Sequence, residues 1–434
     1  MSRYEGSGTP EYAVTYGYPR ILGSYLAVNA IPDIWMLVDS ADCATLRSEF
    51  IHDNHDWNSN LMAVDGRHRI ANSGACPNSL IHDRRRHLAE QMIAIGNSPG
   101  RYLIPYPAPI AAMVGVDYRS IYEEVKDQVS LELLSVRPVE ALGDWLSGYA
   151  QIMEAVAKRL PLAEGAMEEN SVAIVGYFWD RNEADHKANI EELRGLLAAL
   201  NLSLDCVWLS GQGTEHLAEV ARAKWILEFP NAGRTAQILA QRTGATLVPM
   251  PDLPVGLGGT IRWLEAVAAA TGREELCQRF VAREAPIHYR AIAKAATRYF
   301  VNRDFFIATE GHLAAAIGRM VWEMGGIVRL LVGAGALPEA DVGPNVERHL
   351  NPAQTTLGRR IYQLFEEAAT LPVLICNEQA VNTIRALPLA AVFMGFQCPG
   401  THHLYAAPFM GFSGALCLTD KIVNSLPLAF TMHR

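Results

Sequence analysis

Apolar and polar positions along this chain follow two alternating rhythms. Short β-branched apolar runs bounded by polar or glycine-containing turns predict strands, and Leu, Ile or Ala recurring at every third or fourth position predicts helices. The run from Ser171 to Asp180 (SVAIVGYFWD) follows the polar stretch GAMEEN and leads into the helical pattern HKANIEELRGLLAALN. A second such unit starts at Arg303 (RDFFIATEGH) and continues as LAAAIGRMVWEMGG, with Gly325 and Gly326 as the helix stop. Between the two lie AKWILEF, GATLVPMP and GGTIRWLEAVAAATG, and after them RLLVGAG, LPVLICNE and AAVFMGF. Strand and helix alternate from end to end, which predicts an α/β fold with parallel sheets flanked by helices and excludes all-α and β-sandwich architectures.

At 434 residues the chain exceeds what one hydrophobic core organises. We expect three Rossmann-like domains around a central cleft, at 1–168, 169–284 and 285–434. The boundaries are placed in the Glu164 to Asn170 stretch and around Ala282 to Pro286. Half the residues are hydrophobic and 19% are charged, the composition of a globular enzyme or of a subunit with buried interfaces. A net charge of −9 without a basic block excludes a nucleic-acid footprint. Arg84, Arg85 and Arg86 read as a solvated helix face. The opening segment Met1 to Tyr12 lacks the apolar core of a signal peptide, and no apolar run reaches the ~18 residues of a membrane span. The expectation is a cytoplasmic protein without a membrane partner. Seven scattered cysteines with no C-x-x-C pair argue for free thiols rather than a disulfide framework or structural zinc. There is neither a P-loop nor a dinucleotide fingerprint, so the chain is expected to bind no nucleotide.

Several segments, in order, resemble the nitrogenase component 1 family, which includes nitrogenase, the dark-operative protochlorophyllide and chlorophyllide reductases, and cofactor-assembly scaffolds. From Gly23 to Cys43, GSYLAVNAIPDIWMLVDSADC is similar to the family's small-residue helix, apolar strand and cluster-binding cysteine. Where the family reads His-Gly-Pro-x-Gly-Cys, this chain has Val38 to Asp42 before Cys43 and keeps only the cysteine. From Tyr102, YLIPYPAPIAAMVGVDYRSI resembles the family's strand, cysteine turn and helix start. Gly115 and Asp117 are retained, and Pro109 or a neighbour stands in the cysteine's place. Pro254, Gly256 and Thr260 match a segment of the family's second domain. Pro408 onward (PFMGFSGALCLTDKIVNSL) matches its closing Pro-x-x-Gly-x-x-Gly segment and helix.

The resemblance implies an oxidoreductase subunit holding an iron–sulfur cluster, [4Fe–4S] or larger. Members with a full ligand set carry three cysteines in the first domain. Keeping one is the pattern of the second subunit, whose single ligand complements three from a homologous partner in a heterodimer or heterotetramer. Electrons would come from a separate ATP-hydrolysing iron–sulfur reductase, for a small-molecule substrate.

Cys43 is the expected metal ligand, with Asp42 as an oxygen alternative; the ordinary structural reading is a buried thiol at a strand end. Asp39 and Asp42 would add negative charge beside a cluster. Cys76, in the loop SGACPNS, is either a second ligand or an ordinary loop thiol. His52, Asp53, His55 and Asp56 have ligand chemistry at close spacing, against the alternative of a solvated polar loop or a subunit contact. In the loop FQCPGTHHLYAAP from Phe396, His402 and His403 are candidate proton donors, and Cys398 and Thr401 candidate cleft residues, against a reading in which the histidines cap the loop. Glu310 and His312, after a strand end, are assigned to the same cleft. Two alternatives to a reductase subunit stay open: a scaffold for metallocluster assembly, and a cluster-free small-molecule binding protein.

Overall fold

The computed structural model describes residues 14–80, 82–136, 143–381, 384 and 387–432; Met1 to Tyr12, read above for a signal peptide, lie outside the described residues. The described strands form three sheets, parallel throughout. In the first sheet β1 (Ile34–Asp39), β2 (Ile70–Asn72), β3 (Tyr102–Pro107) and β4 (Glu132–Leu133) take the order β2-β1-β3-β4. In the second, β5 (Glu168–Val175), β6 (Ser203–Val207), β7 (Ala223–Glu228) and β8 (Thr246–Pro249) repeat it as β6-β5-β7-β8. The third holds β9 (Asp304–Glu310), β10 (Ile327–Ala334), β11 (Glu347–Leu350), β12 (Val373–Cys376) and β13 (Ala390–Phe393), ordered β11-β10-β9-β12-β13. This last is the doubly wound order of dinucleotide-binding folds.

Helices on both faces of a parallel sheet demand apolar side chains at every strand position. β1, β3 and β9 are buried along their whole length and apolar but for Asp39 in β1 and Asp304, Thr309 and Glu310 in β9. One core runs through all three sheets, from Met36 and Val38 through Ile174 to Ile307 and Ile375, and a smaller one around Trp35, Leu37 and Leu103 packs beside the first. The first expected boundary falls where β5 begins. The second falls inside the helix Glu274–Ala295, which carries Pro286 within it.

Two glycines allow the backbone crossing that ties the chain's beginning to its middle. A Cβ on Gly23 would sit 1.7 Å from the carbonyl oxygen of Trp145, and one on Gly148 would sit 2.0 Å from that of Arg20. The helices Arg20–Asn29 and Trp145–Arg159 therefore touch backbone to backbone. Two other distant segments meet where Gly411 N–H donates to Pro254 O at 2.8 Å. The Pro254 and Pro408 motifs, over 150 residues apart in sequence, thus form one joint.

Arg84 departs from the expected solvated face. It is buried and pairs with Asp39 at 2.6 Å, while Arg86 two residues on is exposed. The reason is position: Arg84 precedes the helix Arg85–Gly96 and turns inward beneath the end of β1.

Candidate functional site

Ligands of open parallel sheets collect outside the carboxyl ends of strands, where the strand order reverses. In the first sheet that point lies between β1 and β3, and the carboxyl edge there and beside it presents two thiols. Cys43 follows β1 in a 3₁₀ turn, Asp42–Phe50, and Cys76 follows β2; both are exposed. Their loops are laced together: Asn72 Nδ2 donates to Ala41 O at 2.9 Å and to Thr45 Oγ1 at 2.6 Å, and Ala75 N–H donates to Ser40 O at 2.7 Å. The Ser79 hydroxyl beside Cys76 holds its thiol below the ordinary range.

Beneath the loops, Asp39 Oδ1 accepts from Arg84 at 2.6 Å and from Ser73 Oγ at 2.6 Å, and Oδ2 accepts from Tyr118 at 2.7 Å. The expected negative charge of Asp39 near Cys43 is therefore matched within the fold, and exposed Asp42 alone keeps that part.

Iron–sulfur clusters take thiolate ligands, commonly four. This edge offers two exposed thiols and an adjacent carboxylate, and among the described residues no three His, Cys, Asp or Glu side chains converge as a metal-binding group. Such a donor set fits part of a shared site and does not fit a self-contained one. His52, Asp53, His55 and Asp56 form no metal group either. Contrary to the solvated-loop alternative, His55 and Asp56 are fully buried.

The carboxyl ends of strands in the second and third sheets line a cavity of about 40 Å³, room for no more than a few waters. Phe178, Asp180 and Arg181 reach it from the turn after β5, Asn231 from after β7, Glu310 from the end of β9 and Phe396 from after β13. Asp185, His186, His403 and Lys421 complete its polar lining, against Leu253, Leu313 and Phe409.

Asp180 sits between two imidazoles, 2.6 Å from His186 Nε2 and 3.2 Å from His55 Nε2. Cys398 N–H donates to His55 Nδ1 at 3.1 Å, so that nitrogen is bare and Nε2 carries the proton toward Asp180. Burial alone would raise the Asp180 pKa; His186 and His55 outweigh it and hold the carboxylate well below its usual value. Burial would likewise lower that of His186, yet Asp180 and Asp185 hold it above. Burial dominates at His403, pushing it down to about 4, and at Glu310, pushing it up. Glu310 also caps the helix Gly311–Glu323, accepting from His312 N–H at 3.0 Å and Leu313 N–H at 2.9 Å.

Of the residues expected in the cleft, His403 and Glu310 line the cavity. His402 stands behind it, stacked on Trp57 at 3.6 Å with Nδ1 2.7 Å from Glu183. Thr401 takes part through its carbonyl, which accepts from Arg181 at 3.0 Å. Cys398 is buried, its thiol raised to about 12, and it supports His55 rather than lining the cavity. His312 contributes its backbone N–H. Sequence reasoning missed Asp180, Arg181, Asp185, His186 and Lys421. A signal existed for the first four: the charged run DRNEADH stands directly after a predicted strand, where such sheets gather ligands.

Comparison with known proteins adds the following. Residues 108–427 match the family model described as nitrogenase component 1 type oxidoreductase. The chain is 27% identical over 274 residues to one subunit of the light-independent protochlorophyllide reductase of Chlorobium phaeovibrioides, covering 57% of this chain and 50% of that protein. It is 26% identical over 218 residues to the nitrogenase molybdenum-iron protein beta chain of Frankia alni, covering 48% and 40%. The matches thus span about half the length of these curated relatives. A solved structure titled nitrogenase Cp1 at pH 6.5 shares the fold, with a TM-score of 0.76 at 13% identity over 99% of this chain and 96% of that one.

Proposed function

The chain belongs to the nitrogenase component 1 type oxidoreductase family, and from that premise we propose that it is the minority-ligand subunit of a reductase. In this reading Cys43, with Cys76 or Asp42 beside it, supplies part of the ligand set of an iron–sulfur cluster shared with a homologous partner chain. A separate ATP-dependent reductase delivers the electrons, and a small molecule is reduced at the cavity. Among the described residues no helix is long and apolar enough to cross a membrane, and all seven cysteines are free. A reducing cytoplasm suits that state.

The observation that carries the reading is the pair of exposed thiols on laced loops at the carboxyl edge of the first sheet. A cluster bound there supplies single electrons. The chain's own groups do the rest. The Asp39–Arg84 pair fixes the ends of β1 and β2, and with them the two thiol loops. At the cavity, burial raises the Glu310 carboxyl above its ordinary range, and His403, pushed down to about 4, is neutral at pH 7. His186 is held above its ordinary value by two carboxylates. Reduction of a small molecule consumes protons with electrons; in this reading Glu310 and His186 are the donors and neutral His403 an acceptor.

The test is anaerobic co-expression of the chain with its genomic neighbours, followed by iron per chain and the electron paramagnetic resonance spectrum for wild type and Cys43→Ala. A reducible cluster signal that the substitution removes or alters supports the shared site. Iron-free wild type in the presence of its partner turns the reading to a cluster-free binding protein.

A further inference from the structure

Lys421 projects from the helix Gly411–Met432 into the cavity. Among the described residues no carboxylate lies within ion-pairing distance of its ammonium, whereas each carboxylate around the cavity has another partner. Asp185 gives Oδ2 to Arg181, Asp180 is shared by His186 and His55, Glu183 takes His402, and Glu310 caps its helix. A half-buried cation without an ion-pair partner is costly. Its burial is enough to lower the Lys421 pKa. Nearby, Asp185 Oδ1 is buried with no hydrogen-bond partner. A lysine without an ion-pair partner and an aspartate with an unfilled acceptor therefore line one space, whose other walls are Phe178, Leu253, Leu313 and Phe409.

We propose that this cavity binds a small organic acid, with its carboxylate on Lys421, a hydrogen-bond donor of the same ligand on Asp185 Oδ1 and an apolar body against Phe178, Leu313 and Phe409. The proposal rests on reading the cavity as the substrate site and narrows the substrate to a compact hydroxy or amino acid with an apolar side chain. A volume of about 40 Å³ is too small for such a ligand, so the wall must give way as it enters. The loop at His403 is a wall that borders solvent: His403 is buried, while Leu404 and Tyr405 next to it are 80% and 76% exposed.

The experiment is calorimetric titration of the full chain with 2-hydroxyisocaproate, isocaproate and isocaproamide, for wild type, Lys421→Met and Lys421→Arg. The hydroxy acid should bind best, and the acid roughly tenfold more tightly than the amide, as a charge-assisted hydrogen bond provides. Lys421→Met should abolish acid binding while melting no lower than wild type without ligand, and Lys421→Arg should retain part of the affinity. Equal binding of acid and amide, acid binding that survives in Lys421→Met, or no binding of any acid overturns the proposal. So does a Lys421→Met chain that fails to fold, because the lysine is then a structural counter-ion. No cluster is needed for this titration. A chain that takes up iron but ignores acids sinks this proposal alone, and one that binds acids but never iron sinks only the reductase reading.

Discussion

Burial brings the His403 pKa down to about 4, with Asp185 3.7 Å away pulling weakly the other way. An unfolded histidine titrates near 6.5, so between pH 6.5 and 4 the unfolded chain binds a proton that the folded chain refuses. Stability from this residue is complete above pH 6.5 and falls as the medium is acidified, by roughly 2 to 3 kcal/mol at full extent. His186, raised by its carboxylates, acts in the opposite sense and at higher pH. Urea denaturation from pH 7.5 to 4.5 should show a shallower acid loss in His403→Gln than in wild type. Parallel curves would mean that His403 accepts its proton in the folded state. Glu310 was legible in the sequence because an acidic residue stood at a strand end, and His403 because a histidine doublet stood in the loop after the last strand, although its neighbour His402 stands behind the cavity. Lys421 was not, since a single lysine in a helical pattern reads as surface, and only the fold aims it inward. Arg69 was equally hidden: it is buried with its guanidinium on four backbone carbonyls, and burial lowers it to about 9.

Strands and helices were the easiest elements to read, because parallel strands covered on both faces leave continuous apolar runs such as IWMLV and DFFIAT. What periodicity cannot give is which helices touch. The crossing of Arg20–Asn29 over Trp145–Arg159 depends on Gly23 and Gly148, and glycine in a helical pattern reads as a mild defect. Gly23→Ala would place its methyl against the backbone oxygen of Trp145, where no side chain can swing aside. The expected loss is about 3 kcal/mol, the scale of overpacking, measured as a lower urea midpoint with unchanged slope. A midpoint equal to wild type would show that the helices slide apart without cost. The Asp39–Arg84 clamp was also invisible, since a residue ending a strand and one preceding a helix 45 positions later carry no shared spacing.

The whole molecule is joined where loops from different sheets interleave. Asp56, on the loop before β2, accepts from Asn29 Nδ2 at 2.8 Å and from the backbone and side-chain amides of Asn182 at 2.9 Å each. A buried carboxylate with three such donors anchors the first sheet to the second. Asp56→Ala should cost roughly 3 kcal/mol or more by leaving those donors unpaired. Calorimetry should then show a broadened or split transition, and a single sharp one at the wild-type temperature would rule out this anchoring role. The same interleaving orders events in time. The Tyr16 hydroxyl lies 2.6 Å from Ala308 O and 2.9 Å from Asn377 Oδ1, the second partner 361 residues later. At about 5 to 20 residues per second on the ribosome, Tyr16 waits roughly 20 to 70 seconds before Asn377 is made. The earliest segment of the described chain is thus among the last to lock, and until it does the nascent chain exposes a sheet edge and a half-built cavity to whatever chaperone or protease reaches it first.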